Sequence, residues 1–202
     1  CYGAPSRTLY PPVPGGFPER PFEDRKPLFV CIGRMSPEKR VEDIIEILKR
    51  VRSLGHDVGL RIIGHKENGS YLEMLMRRAA PHGSWISFHH GVPRDEMAEL
   101  VSECRYGMHA MEDEHFGIAV AELQRAGCIP FIRAGGGAPE IVEHDERLVF
   151  DSVDDAVGKI ERVLRDEDLQ LELQGDVERR RDRFTEERFM REIREAVAAF
   201  SG

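Results

Sequence analysis

Cysteine is scarce in this chain: among 202 residues only Cys1, Cys31, Cys104 and Cys128 occur, and no two stand in a CxxC spacing. Three of the four lie in or beside apolar runs, where cysteine behaves as a small hydrophobe. A disulfide framework is thereby excluded, and reduced thiols in a cytoplasmic setting are expected. No apolar run approaches the ~20 residues of a membrane span, and nothing has the form of a signal peptide. Clustered basic residues are lacking too. With a net charge of −8 and interspersed acids and bases, a nucleic-acid partner is not expected, because such surfaces gather Lys and Arg. The eight histidines make no HxxxH or HExxH, and one acidic loop supplies too few convergent oxygens for a hard cation. No metal site is predicted. Also missing are GxxxxGK[ST] and, after the first apolar run, GxGxxG, so neither a P-loop nor a dinucleotide fingerprint is available.

What is present is an alternation. Residues 1–27 are crowded with Pro and Gly, including Pro11-Pro12-Val13-Pro14-Gly15-Gly16, and read as a linker. Short apolar runs at 28–32, 58–63, 85–89, 106–110, 128–132 and 148–150 read as strands. Between them lie helical patterns. Ser36 is placed as an N-cap with Pro37 at the first helical position, and Val41, Ile44, Ile45, Leu48 and Val51 form one apolar face closed by Gly55. Leu72, Leu75 and Met76 mark a second helix, and Met97, Leu100 and Val101 a third. Strands alternating with helices imply an α/β fold with a doubly wound parallel sheet, Rossmann-like, over 28–183, followed by a C-terminal helix at 184–202.

In such a sheet ligands bind outside the carboxyl ends of the strands. Gly33-Arg34, Gly64, Gly91-Val92, Glu112 to Gly117 and Gly135 to Gly137 all follow predicted strands. The triple glycine is by composition a flexible, phosphate-friendly loop. Most informative is the stretch from Glu114 through Phe116, Gly117 and Ile118 to Glu122, where an apolar helix carries one carboxylate in its middle. A buried carboxylate is costly unless something bonds it. With a helix starting near Phe116, the N–H groups of Gly117 and Ile118 would offer an anion site, and Gly117 would permit close approach. Glu122 would follow roughly 6–9 Å along the axis, at about 1.5 Å per residue. Alternatively, Glu122 pairs with Arg125 at i+3 on an exposed stripe. Lys39 has two readings as well, a solvated surface lysine or a partner of Arg34 in holding a diphosphate.

Taken in order, Gly33-Arg34 with Lys39, Ile62-Ile63-Gly64, Phe88-His89-His90-Gly91-Val92, Glu114-His115-Phe116-Gly117 with Glu122 at an ExxxxxxxE spacing, Ala126-Gly127, and Gly136-Gly137-Ala138-Pro139-Glu140 resemble the donor-binding C-terminal half of the GT-B glycosyltransferases of family 4 (group 1). The resemblance covers about residues 8–200, and the preceding Leu9-Tyr10-Pro11-Pro12-Val13 is similar to that family's interdomain linker. It implies a retaining, metal-independent hexosyltransferase that uses an NDP-sugar donor and no cofactor. Arg34 and Lys39 would neutralise the phosphates, Glu122 would bind ribose hydroxyls, Glu114 would contact the donor sugar, and Gly91 and Val92 would lie along the base. Catalytic roles would fall to Glu114, Arg34 and Lys39. The remaining donor contacts would come from Gly33, Gly64, Phe116, Gly117 and Ile118.

Two departures from the family pattern bear on this. Arg40 stands where a small residue is usual, so it either reshapes the loop or adds a cation. The acceptor domain of the family has no counterpart in the sequence, which also opens without Met. A fragment is expected, completed by an N-terminal domain in cis or by a partner subunit, and peripheral to a membrane only through that missing part. The rival reading is a non-catalytic nucleotide or nucleotide-sugar module, which would keep Arg34, Lys39 and Glu122 but not require Glu114.

Overall fold

Strands buried on both faces of a parallel sheet read as continuous apolar runs, and all six expected runs become strands. The structure, a computed structural model, describes residues 8–65 and 69–200; Cys1 lies outside the described residues. The strands are β1 (Lys26–Ile32), β2 (Gly59–Gly64), β3 (Ile86–His90), β4 (Cys104–His109), β5 (Ile129–Arg133) and β6 (Val149–Phe150). The helices are α1 (Val41–Ser53), α2 (Gly69–Ala79), α3 (Arg94–Ser102), α4 (Ile118–Arg125), α5 (Val153–Arg165), α6 (Glu167–Arg180) and α7 (Glu186–Phe200). The sheet order is β3-β2-β1-β4-β5-β6 and every pairing is parallel. It is therefore a doubly wound, Rossmann-like α/β sheet. Its order reverses between β1 and β4, where a crevice opens at the strands' carboxyl ends.

The core is built from Phe29, Tyr106 and Phe131, all within 1% of complete burial. Phe29 and Tyr106 stack with ring centroids 4.7 Å apart. Tyr106 remains satisfied because its hydroxyl donates to Gln170 Oε1 at 2.7 Å. One polar side chain interrupts β2: Arg61 is buried, donating to the carbonyl of Leu100 and, at 3.1 Å, to Glu103 Oε2.

Several local expectations change. The proline-rich segment is irregular apart from a 3-10 turn at Phe22–Asp24, yet Val13, Phe17 and Phe22 are buried. Proline and glycine excluded regular structure there, not packing. Arg25, also buried, fastens this strap by donating to Ala126 O at 2.7 Å and Arg20 O at 3.0 Å, and β1 begins two residues earlier than expected. Ser36 and Pro37 take the N-cap and first position expected of them, but in a 3-10 turn and without a side-chain cap, since the Ser36 hydroxyl donates to Glu38 at 2.6 Å. A 3-10 turn, Pro37–Lys39, comes first, and α1 starts at Val41 behind Arg40 in the left-handed conformation, φ +48°. The cause is tertiary, since the N–H of Val41 is taken by the Tyr71 hydroxyl from α2 at 3.0 Å. Of the three residues that marked α2, Leu72 and Leu75 are buried together with Tyr71 and Ala79, whereas Met76 is 49% exposed.

Candidate functional site

Three glycines end three adjacent strands and let their backbones close up into a rim. Gly33, φ +140°, donates to Ile63 O at 3.0 Å, and Gly91, φ +63°, donates to Gly64 O at 3.3 Å. A Cβ on Gly64 would stand 1.8 Å from Gly33 O, so no side chain fits there. Beside this rim lies a pocket of about 170 Å³ lined by Gly33, Arg34, Gly64, Val92, Met97 and Glu122 among others. Arg34 is exposed, with Nη2 3.9 Å from Glu38 Oε1. From Gly33 and Arg34 past Lys39 to His109 and Ala110 the packing closes up and leaves no room for a water molecule.

Across the switch point the two halves of the sheet are joined by charge. Lys39, after β1, donates from Nζ to Oε2 of Glu114, after β4, at 2.7 Å. Both side chains are about 15% exposed. His109, buried at the end of β4, lies with Nε2 3.3 Å from the same oxygen, near enough for an ion pair but outside hydrogen-bond alignment. His109 and then Lys39 hold the Glu114 carboxyl down to about 2, against burial, which pushes it up. Glu114 is therefore an anion at any ordinary pH. It can accept hydroxyl hydrogen bonds or face developing positive charge, but it cannot donate a proton.

The loop bearing Glu114 is pressed into place by the triple glycine. Built Cβ atoms on Gly135, Gly136 and Gly137 would lie 2.3, 2.1 and 2.3 Å from the carbonyl oxygens of Glu112, Glu114 and His115. Gly137 N–H donates to Glu114 O at 2.7 Å. These glycines form a close backbone contact, not the flexible phosphate loop their composition suggests. Glu112 is held by Arg133 at 3.0 Å and Arg40 at 3.3 Å. Arg40 also pairs with Asp43, so its charge is engaged by carboxylates.

Helix α4 starts at Ile118, two residues later than expected, with Gly117 left-handed at φ +93° as its N-cap and no side chain capping it. A Cβ on Gly117 would press on Ala138 at 3.1 Å. The Phe116 ring turns away, packing with Tyr10 and Phe184 at 5.9 Å each. Glu122 does not pair with Arg125, which donates instead to the carbonyls of Val13 and Gly15. Its partner is Arg94 at the start of α3. Sequence reasoning missed both His109 and Arg94. His109 was visible as the one polar side chain closing an apolar strand, and Arg94 as the residue that follows Pro93 on the same rim.

Larger hollows lie elsewhere: one of about 400 Å³ beside Thr185 and Arg188 in the C-terminal segment, and two against the sheet. One, of about 320 Å³ around Trp85, opens at the amino ends of the strands, beside Leu28, Gly59 and Ile86. The other, of about 590 Å³, is flanked by Arg147 and Lys159. Those two cations are already matched by Asp145, Glu172 and Asp176, and by Asp155. Among the described residues, no three His, Cys, Asp or Glu side chains gather where they could hold a metal ion.

The sequence model of the family described as glycosyl transferases group 1 matches residues 17–180. The chain belongs to that family. This group 1 domain is 31% identical over 155 residues to the GDP-mannose-dependent alpha-(1-6)-phosphatidylinositol monomannoside mannosyltransferase of Mycobacterium tuberculosis, which covers 71% of the chain and 40% of that protein. It is 33% identical over 106 residues to a Dictyostelium discoideum GDP-Man:Man(3)GlcNAc(2)-PP-Dol alpha-1,2-mannosyltransferase, covering 52% of the chain and 21% of the relative. The domain thus spans well under half the length of these relatives. Among solved structures, Anabaena HepE in complex with UDP and glucose superposes with a TM-score of 0.74 at 18% identity, covering 88% of this chain and 49% of that one. The C-terminal domain of a Francisella tularensis glycosyl transferase group 1 family protein superposes with a TM-score of 0.65 at 18% identity, covering 77% of this chain and 84% of that one. Both share the Rossmann-like α/β fold of this chain, the fold of GT-B glycosyltransferases. No helix among the described residues is long and apolar enough to cross a membrane.

Proposed function

We propose that this chain is the donor-binding half of a retaining glycosyltransferase that takes a mannosyl group from GDP-mannose without a metal ion. The observation that carries the reading is the Lys39–Glu114 pair bridging β1 and β4 at 2.7 Å, next to the pocket edged by Arg34 and Glu122. In this reading Arg34, Lys39 and the backbone N–H groups at Gly117 and Ile118 hold the diphosphate. Glu122 takes the ribose hydroxyls, and Glu114 a hydroxyl of the donor sugar. Gly91 and Val92 line the base, Gly33 and Gly64 allow close backbone approach, and Phe116 fixes the start of α4 through its aromatic packing. As the bond between the sugar and the diphosphate breaks, charge builds on the leaving oxygen. Fixed cations and a helix end stabilise that charge without a metal.

The guanine base and the mannosyl group are suggested by the relatives' names, which specify GDP-mannose and GDP-Man. A pocket of about 170 Å³ is smaller than the ~300–1,000 Å³ of a complete ligand site. This favours a second wall contributed by an acceptor domain, in cis or on a partner polypeptide. A phosphatidylinositol monomannoside in one relative's name favours work at a membrane surface.

The test is calorimetric titration of the chain with GDP, UDP and ADP, with and without magnesium, and then with GDP-mannose. Saturable binding of GDP without magnesium is expected, with Arg34→Ala weakening it more than Glu122→Ala because Arg34 meets charge. Failure of every diphosphate to bind overturns the reading, and binding only with magnesium overturns its metal-free part. Glu114→Gln separates a transferase half from a mere nucleotide module. It should erase the affinity difference between GDP-mannose and GDP while leaving GDP itself within about threefold.

A further inference from the structure

Arg94 has no task in the reading above, yet it is the side chain that holds Glu122. It is the first residue of α3, two positions after Val92. Its Nη1 donates to Oε1 of Glu122, its Nη2 donates to Pro14 O at 2.7 Å, and its guanidinium lies over the Phe17 ring, 5.3 Å from the centroid. Gly15 packs beneath it, the position of a Cβ there lying 3.5 Å from Arg94 Nε. The strap that packs along the domain thus forms a seat for this one guanidinium. Arg125 reinforces the seat by bonding the carbonyls of Val13 and Gly15. Among the described residues Arg94 is the one cation paired with Glu122, whose side chain is only 13% exposed.

We infer that Arg94 is a positioning residue for the nucleotide: it holds Oε1 of Glu122, so that Oε2 is presented to the ribose hydroxyls already oriented. This rests on the reading of Glu122 as the ribose ligand. Two physical reasons support it. A glutamate fixed before binding does not lose its rotamer freedom during binding. A carboxylate beside an incoming diphosphate also repels it unless a cation neutralises the carboxylate. Arg suits the place better than Lys because its planar fork serves the carboxylate and the Pro14 carbonyl together while its face rests on Phe17.

The experiment titrates the wild-type chain, Arg94→Ala and Arg94→Lys with GDP and with 2′,3′-dideoxy-GDP, alongside thermal melts to establish that each variant folds. For Arg94→Ala, GDP affinity should fall about tenfold, the size of one lost charge-assisted hydrogen bond, while dideoxy-GDP affinity changes much less. Arg94→Lys should recover part of the loss and serves as the test if the alanine variant does not fold. Equal weakening toward both ligands, or no weakening toward either, overturns the inference. If the wild-type chain binds both ligands alike, Glu122 does not take ribose hydroxyls and this inference falls while nucleotide binding stands. If the wild-type chain binds no nucleotide at all, the donor-domain reading falls with it.

Discussion

Two half-buried charge clusters sit on this domain, and they are built to opposite ends. Around Arg147 the network is closed: its guanidinium meets Asp145 at 2.6 Å, Glu172 at 2.7 Å and Asp176 at 2.7 Å. These partners raise the Arg147 pKa, Asp145 first, and Asp145 is held below the usual carboxylate range. Around Glu114 the network is open. Lys39 and His109 converge on one carboxylate oxygen at the switch point of the sheet, with the exposed Arg34 on the same rim. A saturated cluster fastens a fold. The Glu114 cluster stands instead at the switch point, where the topology gathers the loops that follow the strands. Location decides between them more than charge count does, because a parallel sheet directs its free backbone ends and following loops to one rim.

Breaking the closed cluster should have the largest effect on stability. Arg147→Ala leaves Asp145, 8% exposed, without its cation and Asp176 with Arg179 alone, and is expected to cost about 3 kcal/mol, read as a shift in the urea midpoint. Nucleotide affinity should stay unchanged in the same variant, and a loss of binding would erase the contrast between the clusters. The open cluster should show itself in acid. Glu114 has a folded-state pKa of about 2 against an ordinary 4.5. Its contribution is therefore fully present above pH ~4.5 and is lost as pH falls toward 2, at most about 3 kcal/mol. Comparing the acid limbs of wild type and Glu114→Gln by circular dichroism measures this; coincident limbs would mean that Glu114 is not depressed.

Smaller effects sharpen the picture through glycine. Gly136→Ala places a Cβ against Glu114 O at a left-handed φ of +61° and should cost about 1–3 kcal/mol. It should also weaken GDP-mannose binding, because the loop carrying Glu114 must move. The same change at Gly158 in α5, where nothing lies within 4 Å, should instead stabilise by about 0.5–1 kcal/mol and leave binding alone. Thermal melts of the two variants give the comparison, and equal signs would contradict the role assigned to the triple glycine.

Periodicity and composition were enough to find all six strands, their parallel winding and the rim on which the candidate residues gather. Burial of a strand on both faces requires a continuous apolar run, and such runs are local features of a sequence. The ExxxxxxxE spacing put Glu122 inside α4 and Glu114 on the loop before it, but the place of Glu114 is set by that loop's contacts with the triple glycine and not by the helix. What the chain alone could not supply was the partner of each side chain, because the contacts run between residues far apart in it. Glu122 had two readings, and its partner turned out to be Arg94, 28 positions away. Lys39 also had two, and it meets Glu114, 75 positions away. Val41 is capped by Tyr71, a proline-rich strap is buried at Val13, Phe17 and Phe22, and three glycines clasp a loop beyond β4. Sequence patterns record what a residue needs from its neighbours along the chain; which distant side chain meets that need depends on how the sheet closes, and only the tertiary structure decides it.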